Sequence, residues 1–342
     1  MAVSEFLGLL GSEIEDPDEE TFLLFAQPIP SSDLGFVDRQ ALSVPVSVGG
    51  REYVVEQAPG VLGSARAGGT TGAVLWNVTP RLAEWLSSPT NPLFTSILGP
   101  SSCVLELGCG TSGLLALTTA GRVGRYTLTD QAYVLKTLSA NLIANEDVPV
   151  PAGGRPPPRR KPGKREQKKE WGKRTAGQAQ AGPSLPAGDA LARDYGAAGN
   201  IAFAPLDWEL DVPDPSLTRG AARSFDVVLA CDCIYNDALV LPFVRTCAEA
   251  CALRPSSGLR PDSHSESGSA SASGGGGGLE EGGEGGGPTV CIVAQQLRDP
   301  EVFAAWMEAF HERFRTWRVP DEIIGNGLGS GSGFVVHAGV LR

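Results

Sequence analysis

The stretch VLELGCGTSG, Val104 to Gly113, joins a short apolar run to a glycine-rich turn, and a helical apolar pattern follows through Leu114, Leu115 and Leu117. Gly108, Gly110 and Gly113 spell G-x-G-x-x-G, a spacing that brings backbone N–H groups and a helix start close to a nucleotide. Glu106 stands two residues before the first glycine, and Asp130 closes YTLTD 22 residues after it. A carboxylate at that place accepts hydrogen bonds from both hydroxyls of an adenosine ribose; the plainer reading is an N-cap for the next helix. Asp207 and Trp208 offer a carboxylate for an adenine edge and an indole for its face, or a Trp simply packed under a helix. Asp232 and Tyr235, in ACDCIYND, place a carboxylate and a phenol just past an apolar run, suited to a cationic amine; the alternative is an Asp capping the following helix. Trp76, in TTGAVLW, precedes all of these and either closes over a ligand or fills the core.

NAD and S-adenosylmethionine both carry the ribose that such a turn and Asp130 serve. An NAD enzyme also needs a centre at which a hydride is accepted, often with His or Lys. The end of the apolar run here holds Asp232 and Tyr235 instead.

The elements that must position these residues follow from periodicity. Val104–Leu107, Tyr126–Asp130, Ile201–Pro205, Phe225–Ala230 and Thr289–Ala294 read as strands; FDVVLA has five apolar residues around one Asp, too apolar for an exposed face. Ser112–Thr119, Tyr133–Asn145, Leu239–Cys251 and Pro300–Phe314 read as helices. Alternation of this kind predicts an α/β, Rossmann-like fold, a parallel sheet covered on both faces. Arg315–Val319 and Phe334–Leu341 have no helix between them, which predicts a C-terminal antiparallel hairpin. Residues 1–75 read as an N-terminal β-rich extension, with strands at Thr21–Gln27, Ala41–Val48 and, after Gly49-Gly50, Arg51–Gln57. Trp76–Leu86 has helical spacing and opens the main domain, 76–342. Residues 149–199 and 255–288 are too rich in Gly, Pro, Ser and charge to build a core and read as disordered inserts.

Charge is unevenly spread over the 342 residues. Arg155 to Arg174 carries +8, leaving −19 for the rest of a chain whose net charge is −11. The basic segment suits RNA or a nuclear import receptor, whereas the acidic body is a poor surface for a phosphate backbone. The seven cysteines are odd in number and mostly in apolar contexts, so no disulfide framework is expected. Cys231-x-Cys233 lacks zinc-knuckle spacing, and His264, His311 and His337 lie elsewhere, so no metal is expected. The start, MAVSEFLGLLGSEIEDPDEE, has no basic leader, and no apolar run approaches the roughly 18 residues of a membrane span. A cytoplasmic monomer without membrane attachment is expected, with the nucleus as a second location.

Taken together, TTGAVLW, VLELGCGTSG, YTLTD, LDW and ACDCIYND resemble the class I, seven-strand protein-lysine methyltransferases of methyltransferase family 16. The resemblance is greatest to the fungal branch acting on ribosomal proteins and covers about 70–148, 200–253 and 289–342. It implies that Trp76, Gly108, Cys109, Gly110, Asp130, Trp208 and Cys231 contact S-adenosyl-L-methionine, with Asp207 beside them. It places Glu106 near the methionine amino group, and Asp232 and Tyr235 at the lysine channel. It further implies a ribosomal protein substrate, of the large-subunit L1 type. S-adenosylmethionine has no pyrophosphate, so on this reading the match at Gly113 is coincidental. Two other readings stand beside it: a methyltransferase acting on nucleic acid or a small molecule, and a non-catalytic interaction protein on the same fold.

Overall fold

The computed structural model describes residues 2–30, 35–62, 70–146, 191–254, 287–325 and 327–342. Its centre is built from runs with almost no polar side chain. β3 (Cys103–Leu107) and β6 (Val227–Cys231) are buried at every position. A strand covered on both faces must read as a continuous apolar run rather than alternate. Before them come α1 (Ala2–Leu10), α2 (Pro17–Phe25), the hairpin β1 (Ser43–Val48) and β2 (Arg51–Glu56), α3 (Val78–Ser87) and α4 (Pro92–Ser96). After β3 follow α5 (Leu114–Thr119), β4 (Arg125–Asp130), α6 (Leu135–Ala144) and β5 (Ile201–Pro205). The chain then returns through β6 to α7 (Asp237–Ala252), β7 (Val290–Gln296), α8 (Pro300–Arg313), β8 (Phe314–Arg318), α9 (Asp321–Ile324) and β9 (Phe334–Leu341).

Seven strands form one sheet in the order β5-β4-β3-β6-β7-β9-β8. The first five are parallel, and β9 slots between β7 and β8, antiparallel to both. The C-terminal hairpin expected from the sequence is present, with its second strand inside the sheet and its first at the edge. One face is covered by α3, α5, α6 and the β1–β2 hairpin, the other by α2, α7 and α8. The strand order turns back at β3 and β6, and open α/β sheets bind ligands beyond the carboxyl ends of strands at such a point.

Three sequence expectations need correction. Thr21–Gln27 is not a strand: Thr21 to Phe25 belong to α2. The signals were local and lay just upstream. Asp16 accepts from the N–H groups of Asp18 and Glu19, Pro17 stands in the first turn, and three acidic residues follow. With α1 ahead of it, the N-terminal extension is two helices and one hairpin rather than β-rich. The third correction concerns 149–199. Residues 149–190 lie outside the described residues, as does the basic segment 155–174, but 191–199 are folded. Tyr195 is fully buried and exchanges backbone hydrogen bonds with Ile201, while Asp194 pairs with Arg125 and Arg219. Of the second insert, 255–286 lie outside the described residues. Among the described residues no helix is long and apolar enough to cross a membrane.

Helix α2 is tied to the sheet by a buried polar pair. Glu20 and the Nε2 of His337, on β9, are 2.9 Å apart. Burial opposes the charge of Glu20, yet the hydrogen bond and charge of His337, with Arg318, hold its pKa below the usual value. Glu20→Ala leaves the His337 ring without this partner and is expected to cost about 2 kcal/mol, a fall in Tm of about 4–8 °C. An unchanged Tm in thermal melts would show that α2 docks by apolar contact alone.

Candidate active site

The register decides what meets at the switch point. Leu107 pairs with Thr129 on one side and Ala230 on the other. The turn after β3, the end of β4 and the end of β6 therefore arrive at one level. All eleven residues singled out in the sequence line one cavity there, of about 900 Å³ with its open mouth.

Gly108 begins the turn with φ +69°, and a Cβ on it would stand 2.8 Å from the Cys233 sulfur and 3.1 Å from the Trp208 ring. A side chain at this point would press on Cys233 and Trp208, both of which line the cavity. The Cys109 N–H donates to Thr129, and the Gly110 N–H donates to Asp130 Oδ2 at 2.8 Å, so the turn is fastened to β4. Gly113 ends the turn. It sits at φ +61°, and a Cβ there would lie 2.7 Å from Leu142. The left-handed backbone and the closeness of Leu138 and Leu142 on α6 both call for a glycine at the start of α5.

Glu106, next to last in β3, is almost fully buried. Tyr126 donates to its Oε2 at 2.7 Å. Burial pushes its carboxyl up to about 7, against the pull of that hydrogen bond and with the help of the charge on Asp130. Asp130 is pushed up to about 6 by burial, opposed by the N–H groups of Gly110 and Gln131. Each Asp130 oxygen accepts one of these backbone donors at 2.7–2.8 Å, and a carboxylate oxygen has a second lone pair for a hydroxyl. Asp207 accepts from the Glu209 N–H, holding the LDW turn, and Trp208 leans on Phe243 with ring centres 5.1 Å apart. Trp208 is half-buried, so its indole both packs and borders the cavity.

Across the cavity, Trp76 lies ahead of α3 rather than in it, in a bridge with Phe36, and its Nε1 donates to Thr71. Tyr235 accepts from the Thr71 hydroxyl at 3.0 Å. A second, more apolar cavity, walled by Phe36, Ile234, Val302 and Phe303, shares Thr71, Trp76 and Tyr235 with the first. These three residues form the partition between them. Cys231 approaches Thr79, and burial holds its thiol well above the usual range.

Asp232 is not a helix cap: Asn236 caps α7 by accepting from the Ala238 N–H. Its side chain is 1% exposed and is gripped in a fork by Arg298, Nη1 to Oδ1 at 2.7 Å and Nη2 to Oδ2 at 2.6 Å. Its backbone takes φ +60°, a left-handed conformation that Asp tolerates better than most residues. The sequence reading missed Arg298. The signal was its place just past β7, the strand next to β6, in QQLRDP. Thr71, Tyr133 and Thr79 were missed as well. Among the described residues no three His, Cys, Asp or Glu side chains converge as metal ligands.

Seven strands in this order, a glycine turn after the first parallel strand and carboxylates at the ends of that strand and the next define a class I methyltransferase fold. The chain is similar to fungal ribosomal lysine N-methyltransferase 5. The protein of that name from Eremothecium gossypii is 30% identical over 198 residues, 51% of this chain and 54% of the relative. That from Saccharomyces cerevisiae is 28% identical over 248 residues, 59% and 62% of the two chains. A stretch of 135 residues is also 33% identical to the diaminohydroxyphosphoribosylamino-pyrimidine deaminase of Schizosaccharomyces pombe, 39% of this chain and 32% of that protein. The chain thus spans from about a third to somewhat over half of these relatives' lengths. Among solved structures, the N-methyltransferase NodS from Bradyrhizobium japonicum, in complex with S-adenosyl-L-homocysteine, aligns with a TM-score of 0.34 at 10% identity, over 76% of this chain and 84% of that one. No family model matches.

Proposed function

We propose that this chain is an S-adenosylmethionine-dependent protein-lysine N-methyltransferase whose substrate is a ribosomal protein, of the large-subunit L1 type. The observation that carries the reading is the division of one cavity. Glu106, Asp130 and Trp208 line the side suited to the cofactor; Asp232 and Tyr235 line the side next to the apolar second cavity. The similarity to proteins named for ribosomal lysine methylation supports the substrate class.

The residues present fit the cofactor. Gly108 leaves room where a Cβ would collide, Asp130 keeps a free lone pair on each oxygen for the ribose, Trp208 presents an indole to the base, and Glu106 offers a carboxylate to the methionine ammonium. When bound, S-adenosylmethionine supplies an electrophilic methyl carbon on a sulfonium; the new bond to nitrogen forms as the carbon–sulfur pair leaves with sulfur. The chain's own task is alignment. An ordinary lysine, pKa about 10.4, is neutral to only about 0.04% at pH 7, so its proton must pass to water before attack. The apolar walls of the second cavity suit the lysine stem and disfavour its charged head. Asp232 accepts one N–H of the amine and fixes where the lone pair points. The Tyr235 phenol, held by Thr71, narrows the passage.

Glu106 gives the reading a pH signature. Its carboxyl releases its proton near pH 7, and the cationic amine of the cofactor favours the ionised form. Cofactor binding therefore expels a proton below pH 7. Affinity should weaken by up to about tenfold per unit as pH falls below 7, and level off above it. Isothermal titration from pH 5.5 to 8 reads this directly; a flat Kd would remove Glu106 from the amine. The function itself is tested with methyl-labelled S-adenosylmethionine and ribosomal subunits. Label that survives nuclease and is lost to protease supports the reading; label in RNA overturns it.

A further inference from the structure

The fork between Asp232 and Arg298 bears on how a lysine could attack beside a carboxylate. A lone buried carboxylate would bind the incoming ammonium well and hold it protonated, raising its pKa by about one to three units. That opposes the reaction, which needs the free amine. Arg298 alters both the charge and the geometry. Its guanidinium lies flat against both oxygens of Asp232, while its carbon centre is 5.2 Å from the Trp76 ring and Nη2 also donates to Gln296 Oε1. The Gln296 N–H adds a longer contact to Oδ1 at 3.3 Å. Among the described residues, Oδ1 thus accepts two donors and Oδ2 one. With two lone pairs on each oxygen, a single acceptor position remains, on Oδ2.

We propose that Arg298 is a positioning residue for methyl transfer: it neutralises Asp232 and leaves it one lone pair, so that the acceptor lysine is aimed yet free to lose its proton. The inference rests on the lysine methyltransferase reading. Other titratable groups face the same space. Cys231, Cys233 and Tyr235 come from the β6 end, Glu106 and Asp130 from across the cavity, and Asp299 from the wall of the second cavity. Among the described residues lining either cavity, Arg298 is the one cation, so its removal changes the field at the amine.

The test is a pH–rate series on the full chain. The probe is a ribosomal protein fraction from a Saccharomyces cerevisiae strain lacking its ribosomal lysine N-methyltransferase 5. Arg298→Met keeps the length of the stem and removes the charge; Arg298→Lys keeps the charge and loses the fork. For Arg298→Met the limb of kcat that rises with pH should move up by at least one unit, lowering kcat at pH 7 at least tenfold, while KM for the protein substrate stays equal or falls. Arg298→Lys should restore the position of the limb and recover kcat only in part, because a point charge does not hold both oxygens. Should Arg298→Met fail to fold, Arg298→Gln with Arg298→Lys carries the comparison. Profiles that superimpose on the parent, with a loss of amplitude alone, overturn the inference and leave the lysine reading intact. A parent chain that labels no lysine in that fraction overturns both.

Discussion

Asp232→Asn should lower kcat for lysine methylation at least about a hundredfold, with cofactor affinity unchanged. The size follows from positioning, since misplacing a reacting group by an ångström costs about that much. Asparagine keeps the shape and one acceptor oxygen but turns an NH₂ toward the Arg298 guanidinium or toward the amine. Either way the lysine loses its acceptor or the fork is broken. Because the fork between Asp232 and the largely buried Arg298 is then broken, the fold should also lose about 3 kcal/mol. The double variant Asp232→Asn with Arg298→Met separates the two effects. Removing the guanidinium as well should recover part of the melting temperature but not the rate. Recovery of both would make Asp232 a structural residue. The capping explanation no longer competes, because Asn236 holds the helix start.

Asp130→Ala should weaken S-adenosylmethionine binding by about 1.5–3 kcal/mol, the range for hydrogen bonds to a charged group, which is roughly ten- to a hundredfold in Kd. Two losses combine here. The ribose hydroxyls lose their acceptor, and the Gly110 and Gln131 N–H groups lose the carboxylate that shapes the turn. Calorimetry on parent and variant measures the change. Equal affinities would show that Asp130 only braces the turn and that the ribose lies elsewhere.

The two predictions differ in how far they were legible from the chain alone. Asp130 could be placed from sequence because its contacts are with the turn 20 residues upstream and with its own neighbour, both inside one strand–helix–strand unit. The central strands were legible for a similar reason: a strand buried on both faces leaves a run such as FDVVLA that no exposed element would carry. The environment of Asp232 was not legible, because its partner lies 66 residues later, beyond a helix and a long insert. A residue type and spacing say what chemistry a side chain offers, not which distant charge will be folded against it. The N-terminal helix shows a different failure. The apolar run LLF reads equally as strand or helix, and the deciding signal was the Asp16-Pro17 start and the acidic first turn ahead of it. Tyr195 was hidden by averaging. One buried aromatic and one paired Asp stand at the end of a segment whose overall composition is that of a loop.

The central claim is that the cavity joins a methyl donor to a lysine side chain. It is tested most directly by incubating the full chain with methyl-labelled S-adenosylmethionine and ribosomal proteins lacking the modification, then mapping the label by mass spectrometry of the digested proteins. The account predicts methyl groups on a lysine of a large-subunit ribosomal protein, added at least about a hundredfold more slowly by Asp232→Asn than by the parent chain. Label confined to RNA or a small molecule, or lysine labelling by the variant at the parent's rate, would contradict it.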